Sequence, residues 1–236
     1  MSENKKAKKT LVIGLGGTGC AVVSGVKRMV REMQAYPDPD IQFIGFDTDK
    51  NQEDAPDLDI VLTSTKAKVG EILQNKYHQN WQEWFPDNDS LMDEDMLDGA
   101  GQKRVLSRLA FSDVIRRKTP LKVLDDAIKK LTLENGNPQD VALKVMVVSS
   151  FAGGTGAGMF MQLPLYLRKK YAEQDMSFSK ITIRGLFALP DVFLSSARYD
   201  EVQRESMYAN AYASLKELAA INMICLSQNP DIRKYT

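Results

Sequence analysis

Apolar positions along the chain fall into short blocks separated by polar, turn-forming stretches, and two kinds of spacing alternate. Leu11–Ile13, Ile41–Phe46, Leu143–Ser149 and Ile181–Ala188 are mostly apolar runs of strand length, rich in β-branched residues, as expected of strands buried on both faces. Between them, helical spacing predicts helices over Ala21–Met33, Ala67–Tyr77, Arg104–Arg117, Leu121–Leu133, Met159–Tyr171 and Asp200–Ala220. Pro37–Pro39, Pro86–Ser90 and Asn135–Pro138 read as turns, and Pro120 separates two of the helices. Asn51–Asp59 is acidic and polar and reads as loop, while Met223–Leu226 predicts a last short strand. Alternating strands and helices imply an α/β fold, a mainly parallel sheet with helices on both faces.

Two strand-to-helix junctions carry unusual chemistry. The first reads Gly14-Leu15-Gly16-Gly17-Thr18-Gly19-Cys20, the second Phe151-Ala152-Gly153-Gly154-Thr155-Gly156-Ala157-Gly158. Glycines at such a junction let backbone N–H groups approach a ligand without side chains between them. The helix start behind them adds partial positive charge, which suits a phosphate. Gly14, Gly16 and Gly19 alone also satisfy the G-x-G-x-x-G spacing of a Rossmann dinucleotide site, a weak pattern that requires one such turn and leaves the second unexplained.

Taken with three further landmarks, the pair resembles the tubulin/FtsZ GTPases. Gly153-Gly154-Thr155-Gly156-Ala157-Gly158 looks like their G-G-T-G-[ST]-G loop, with alanine in the serine or threonine position. Asp47-Thr48-Asp49 is similar to the N-T-D of the second FtsZ loop, and Gly99-Ala100-Gly101 to the G-A-G of the third. Asn210 to Leu218 resembles the N-A-x-x-S-x-x-x-L of the helix after the fifth loop. Spread from Gly14 to Leu218, the landmarks identify a Rossmann-like, tubulin/FtsZ-type GTPase domain over residues 11–236, of the divergent bacterial tubulin-like kind.

The resemblance implies a GTP/GDP site with Mg²⁺. Gly14–Cys20 would wrap the α- and β-phosphates, and Ala152–Ala157 the β- and γ-phosphates, with the Thr155 hydroxyl adding a hydrogen bond. Valine at Gly154 would then block phosphate approach. Gly99, Ala100, Gly101 and Gln102 would face the γ-phosphate. Asp47 and Asp49 would meet Mg²⁺ through water, or else serve strand-end and turn chemistry alone, with Thr48 between them. Pro190 and Glu205 are the ribose candidates. Asn229 would read guanine, or else be a turn asparagine before Pro230. Arg104 or Arg108 offsets phosphate charge, or both lie on a solvated helix face.

The family's hydrolysis needs a central helix and a catalytic loop that serves the neighbouring subunit's nucleotide. Neither is found in residues 1–236, so no catalytic residue is assigned, and the chain alone is expected to bind GTP with little hydrolysis. The partners implied are further copies in a head-to-tail cytoskeletal filament, and an adaptor or cargo protein. Two alternatives stay open, an NAD-binding Rossmann domain with Asp47 on the ribose and a nucleotide-regulated switch that never polymerises.

Composition narrows the picture a little further. Thirty-one basic and 31 acidic residues balance, which argues against bulk attraction to nucleic acid, and no apolar run is long enough for membrane insertion. Residues 1–10 read as a flexible basic tail without the apolar segment of a secretory signal. Two cysteines, Cys20 and Cys225, make no disulfide framework, as expected in the cytoplasm. Cys20 reads as a small apolar residue at a helix start, and His78 has no metal-ligand spacing around it. Trp81 and Trp84 are expected to anchor a loop on the core.

Overall fold

A computed structural model describes residues 8–33, 38–51, 53–75, 80–95, 99–134, 137–138, 141–172, 181–194 and 199–226. Strand β1 (Lys8–Leu15) leads into α1 (Gly16–Met33), and β2 (Ile41–Asp47) is followed by β3 (Asp59–Leu62). Then come α2 (Val69–Leu73), α3 (Asp89–Met92), α4 (Arg104–Arg117) and α5 (Lys122–Thr132). A two-residue antiparallel pair, β4 (Leu133–Glu134) with β5 (Asn137–Pro138), precedes β6 (Ala142–Ser150). The remainder is α6 (Gly154–Met159), α7 (Gln162–Ala172), β7 (Ile181–Ala188), α8 (Asp191–Leu194) and α9 (Glu201–Leu226).

Five strands form one sheet in the order β3-β2-β1-β6-β7, and every neighbouring pair is parallel. The register aligns Gly14 with Gly45 on one side and with Val148 on the other. The strands' carboxyl ends therefore finish level, and the loops after β1, β2 and β6 emerge side by side. A parallel sheet needs cover on both faces. One face is covered by α1, whose Cys20 and Val23 pack with Phe43 and Val148. The other face carries the larger core, where Leu109 and Phe111 of α4, Leu124 and Ile128 of α5, and Leu163 and Leu167 of α7 meet the strands. Pro164 is accommodated because it lies in the first turn of α7, where a missing N–H costs no intrahelical bond. The tryptophan segment docks on this core, Trp84 edge-on to buried Phe85 at 5.7 Å.

Three expectations change. Met223–Leu226 is the last turn of α9 rather than a strand. An apolar run of four fits either period, and here it continues, in register, the 26-residue helix that begins at Glu201. β3 lies just past a stretch that reads as loop, and only its Val61 is fully buried. The helix expected over Ala67–Tyr77 contracts to Val69–Leu73, with 76–79, including His78, outside the described residues. In addition β1 begins at Lys8, inside the expected tail.

Candidate functional site

At the carboxyl edge of the sheet, four loops enclose a cavity of about 550 Å³. The first loop turns at Gly16, whose φ of +70° favours glycine. Gly17 and Thr18 border the cavity, whereas Leu15 and Cys20 are buried beneath it. Gly14 and Gly19 form the turn's inner side, where a Cβ on Gly19 would lie 2.3 Å from the Val148 carbonyl oxygen. The Cys20 thiol donates toward the Gly14 and Phe46 carbonyls. Burial, with the charge of Asp47 adding to it, pushes that thiol's pKa up to about 12.

The second loop is held by Asp47, only 3% exposed. Its Oδ1 accepts the N–H groups of Thr48 (2.7 Å) and Asp49 (3.2 Å), which is turn chemistry of the Asx kind. In the third loop Gly99 (φ +94°), Gly101 (φ +51°) and Gln102 (φ +62°) are left-handed. For glutamine that is a strained conformation kept only where its surroundings impose it. Its carbonyl is held by Asn210 of α9, buried at 7% exposure, whose amide donates to the Gln102 carbonyl (2.8 Å) and the Ala152 carbonyl (3.2 Å).

The fourth loop is pinned from several sides. Phe151 stacks on Phe187 at 4.4 Å, and Ser150 Oγ donates to the Ala188 carbonyl and accepts the Ala152 N–H. A Cβ on Gly154 would stand 2.9 Å from the backbone of Gln102 and Lys103. Gly154 thus lets the third and fourth loops touch, and valine there would meet protein backbone before any ligand. Gly156 and Ala157 are likewise buried under the loop. Gly17, Gly101 and Gly153, each from a different loop, all border the cavity, and a Cβ on any of them meets nothing within 4 Å.

Of the residues singled out in sequence, Gly17, Thr18, Asp47–Asp49, Gly99–Gln102, Ala152, Gly153 and Thr155 line the cavity. Pro190 is buried beneath the turn after β7, and Glu205 is exposed on α9. Asn229 lies outside the described residues. Neither arginine reaches the cavity. Arg104 pairs with Glu217, and Arg108 lies over Trp84. Sequence reasoning missed Asn51, Glu53, Asp54 and Ala55, which line one rim, and Phe193, Tyr199 and Met207, which form an apolar wall. A loop joining two parallel strands at their carboxyl edge borders the ligand crevice of an open α/β sheet, and that rule would have pointed to Asn51–Ala55.

The lining has a distinct charge pattern. Asp47, Asp49, Glu53 and Asp54 contribute carboxylates, and among the described lining residues there is no lysine, arginine or histidine. An anion would have to be met by backbone N–H groups and by a cation brought with it. Among the described residues no three metal-ligating side chains converge.

The sequence profile of the family described as tubulin like matches residues 11–235. The chain belongs to the tubulin-like family. No curated protein matches the chain. Among solved structures, CetZ1 from Haloferax volcanii, a GDP-bound monomer, is similar at 20% identity with a TM-score of 0.50, over 88% of this chain and 47% of its own. CetZ2 from the same organism, a GTPγS-bound protofilament, is 13% identical with a TM-score of 0.45, over 91% of this chain and 58% of its own. TubZ of Bacillus thuringiensis serovar israelensis, a GTPγS-form protofilament, is 15% identical with a TM-score of 0.47, over 91% and 42%. The likeness to CetZ1 is one of fold, and the chain spans about half the length of the solved relatives it matches. Among the described residues, no helix is long and apolar enough to cross a membrane.

Proposed function

We propose that this tubulin-like chain binds a guanine nucleotide, GTP or GDP with Mg²⁺, in the cavity at the sheet's carboxyl edge. The observation that carries the reading is the set Gly17, Gly101 and Gly153, three glycines from three loops that border one cavity and have nothing within 4 Å of where a Cβ would stand. The phosphates lie against these loops, near the starts of α1 and α6, whose first-turn N–H groups have no intrahelical acceptors. Mg²⁺ offsets the carboxylate rim, with Asp47 and Asp49 as outer contacts through water. The apolar wall of Phe193, Tyr199 and Met207 receives the ribose and base.

Family membership supports assembly into a head-to-tail filament, with hydrolysis completed by groups from the next subunit. A dinucleotide reading has less support. The fourth loop would then have no task. Displacement of a fluorescent GDP analogue tests the proposal. GTP and GDP should compete at least tenfold better than ATP or NADH, and the reverse order would refute it.

A further inference from the structure

Asparagine is a weak helix former, because its amide competes for nearby backbone groups. Asn210 nevertheless stands well inside α9, with its side chain buried. Its amide nitrogen donates to two carbonyls from distant parts of the chain, Gln102 at 2.8 Å and Ala152 at 3.2 Å. Both acceptors are carbonyl oxygens, so only the nitrogen end of the amide can meet them. Gln102 and Ala152 both border the nucleotide cavity, one in its third loop and one in its fourth. Asn210 itself lies behind the lining.

A trans peptide points its C=O and the following N–H in opposite directions. Drawing the Ala152 carbonyl onto Asn210 therefore turns the Gly153 N–H away from Asn210. Ala152 is fixed at its other end as well, where its N–H donates to Ser150 Oγ at 3.0 Å. The Gly153 N–H, by contrast, has no acceptor among the described residues, and Gly153 borders the cavity. At the third loop the same amide takes the Gln102 carbonyl. The Lys103 N–H of that peptide closes a turn onto the Ala100 carbonyl at 2.7 Å.

Orientation matters here because the described lining offers a phosphate carboxylates but no lysine, arginine or histidine. A carbonyl oxygen turned toward a bound phosphate repels it, and an N–H turned toward it attracts it. We propose that Asn210 is a positioning residue for the phosphate beyond the first, a role that rests on the guanine-nucleotide reading of this cavity. It holds two carbonyl oxygens out of the anion's way and aims the Gly153 N–H at the second phosphate. Asn210 acts through the loops and touches no nucleotide atom. Removing its amide leaves both carbonyls without their donor and the Ala152–Gly153 peptide free to rotate.

The test compares GDP with GMP, each titrated with Mg²⁺ into the parent chain, Asn210→Leu and Asn210→Asp. Both variants keep the side chain's size and lose its donor. GDP should weaken at least tenfold in each, and GMP far less, because GMP has no second phosphate for Gly153 to meet. An equal loss for the two nucleotides would mark a general loosening of the cavity and overturn the proposal, as would unchanged GDP affinity. Should both variants unfold, the Gly153 amide proton of the ¹⁵N-labelled parent decides. It should move downfield when GDP and Mg²⁺ are added, and a resonance that stays in place while GDP binds would overturn the role. A folded parent that binds neither nucleotide would instead refute the nucleotide reading, and this role with it.

Discussion

The hydroxyls of Thr48 and Thr155 lie 2.7 Å apart across 107 residues of sequence, and both side chains are buried. This bond joins the second loop to the fourth, so the floor of the cavity is one connected piece. Each hydroxyl's loss strands the other, at about 1 kcal/mol of stability. In urea unfolding, Thr48→Ala and Thr155→Ala should each destabilise by about that amount. The double variant should lose less than the sum of the two, because the second change removes a group already stranded. Strict additivity would show that the bond contributes nothing.

Gly153 and Gly154 are adjacent but do different things. A Cβ on Gly154 strikes the backbone of Gln102 and Lys103, whereas one on Gly153 projects into open space. Gly154→Ala should therefore destabilise the fold, by about 1–3 kcal/mol as overpacking does. Gly153→Ala should unfold like the parent chain yet bind guanine nucleotide at least tenfold more weakly. Calorimetric titration beside thermal unfolding separates the two outcomes. Unchanged affinity in Gly153→Ala would remove that glycine from the site.

Cys20 should behave as an inert thiol. Its pKa is pushed up to about 12 by burial, and the thiolate is the reactive form. In a Cys225→Ser protein at pH 8, a thiol reagent should label Cys20 only as fast as the chain opens, and denaturant should release full labelling. The raised pKa also fixes a sign. Folding holds the proton, so this group's contribution to stability is whole below the ordinary thiol range and is lost as pH rises through it toward 12. Rapid labelling of the folded protein would contradict the burial.

Much of the fold was legible because it rests on local signals. The β1 and β6 runs end in glycine-rich turns, and the parallel sheet follows from the alternation of strands and helices. β3 was missed although Ile60-Val61-Leu62 is an apolar run as long as Leu11–Ile13, because the acidic stretch through Asp54, Asp57 and Asp59 in front of it reads as loop. Met223 was misread since four apolar residues cannot distinguish a strand from a helix end. At the site, sequence marked the glycines but not their division of labour. Gly154 and Gly19 serve backbone packing while Gly17 and Gly153 face the cavity, and only tertiary neighbours reveal that. Tyr199 was missed for the same reason, whereas Glu53 and Asp54 lie in a loop that its place between two parallel strands would have marked. Which way a loop folds over a sheet edge is not written in its composition.

The most direct test is a structure of the chain crystallised with Mg²⁺ and GTPγS. The account predicts phosphates against the backbone of Gly17, Gly101 and Gly153, with the base toward Phe193 and Tyr199 and a metal beside the Asp47–Asp49 turn. A nucleotide bound elsewhere, or a cavity that stays empty at saturating concentration while the chain remains folded, would contradict it.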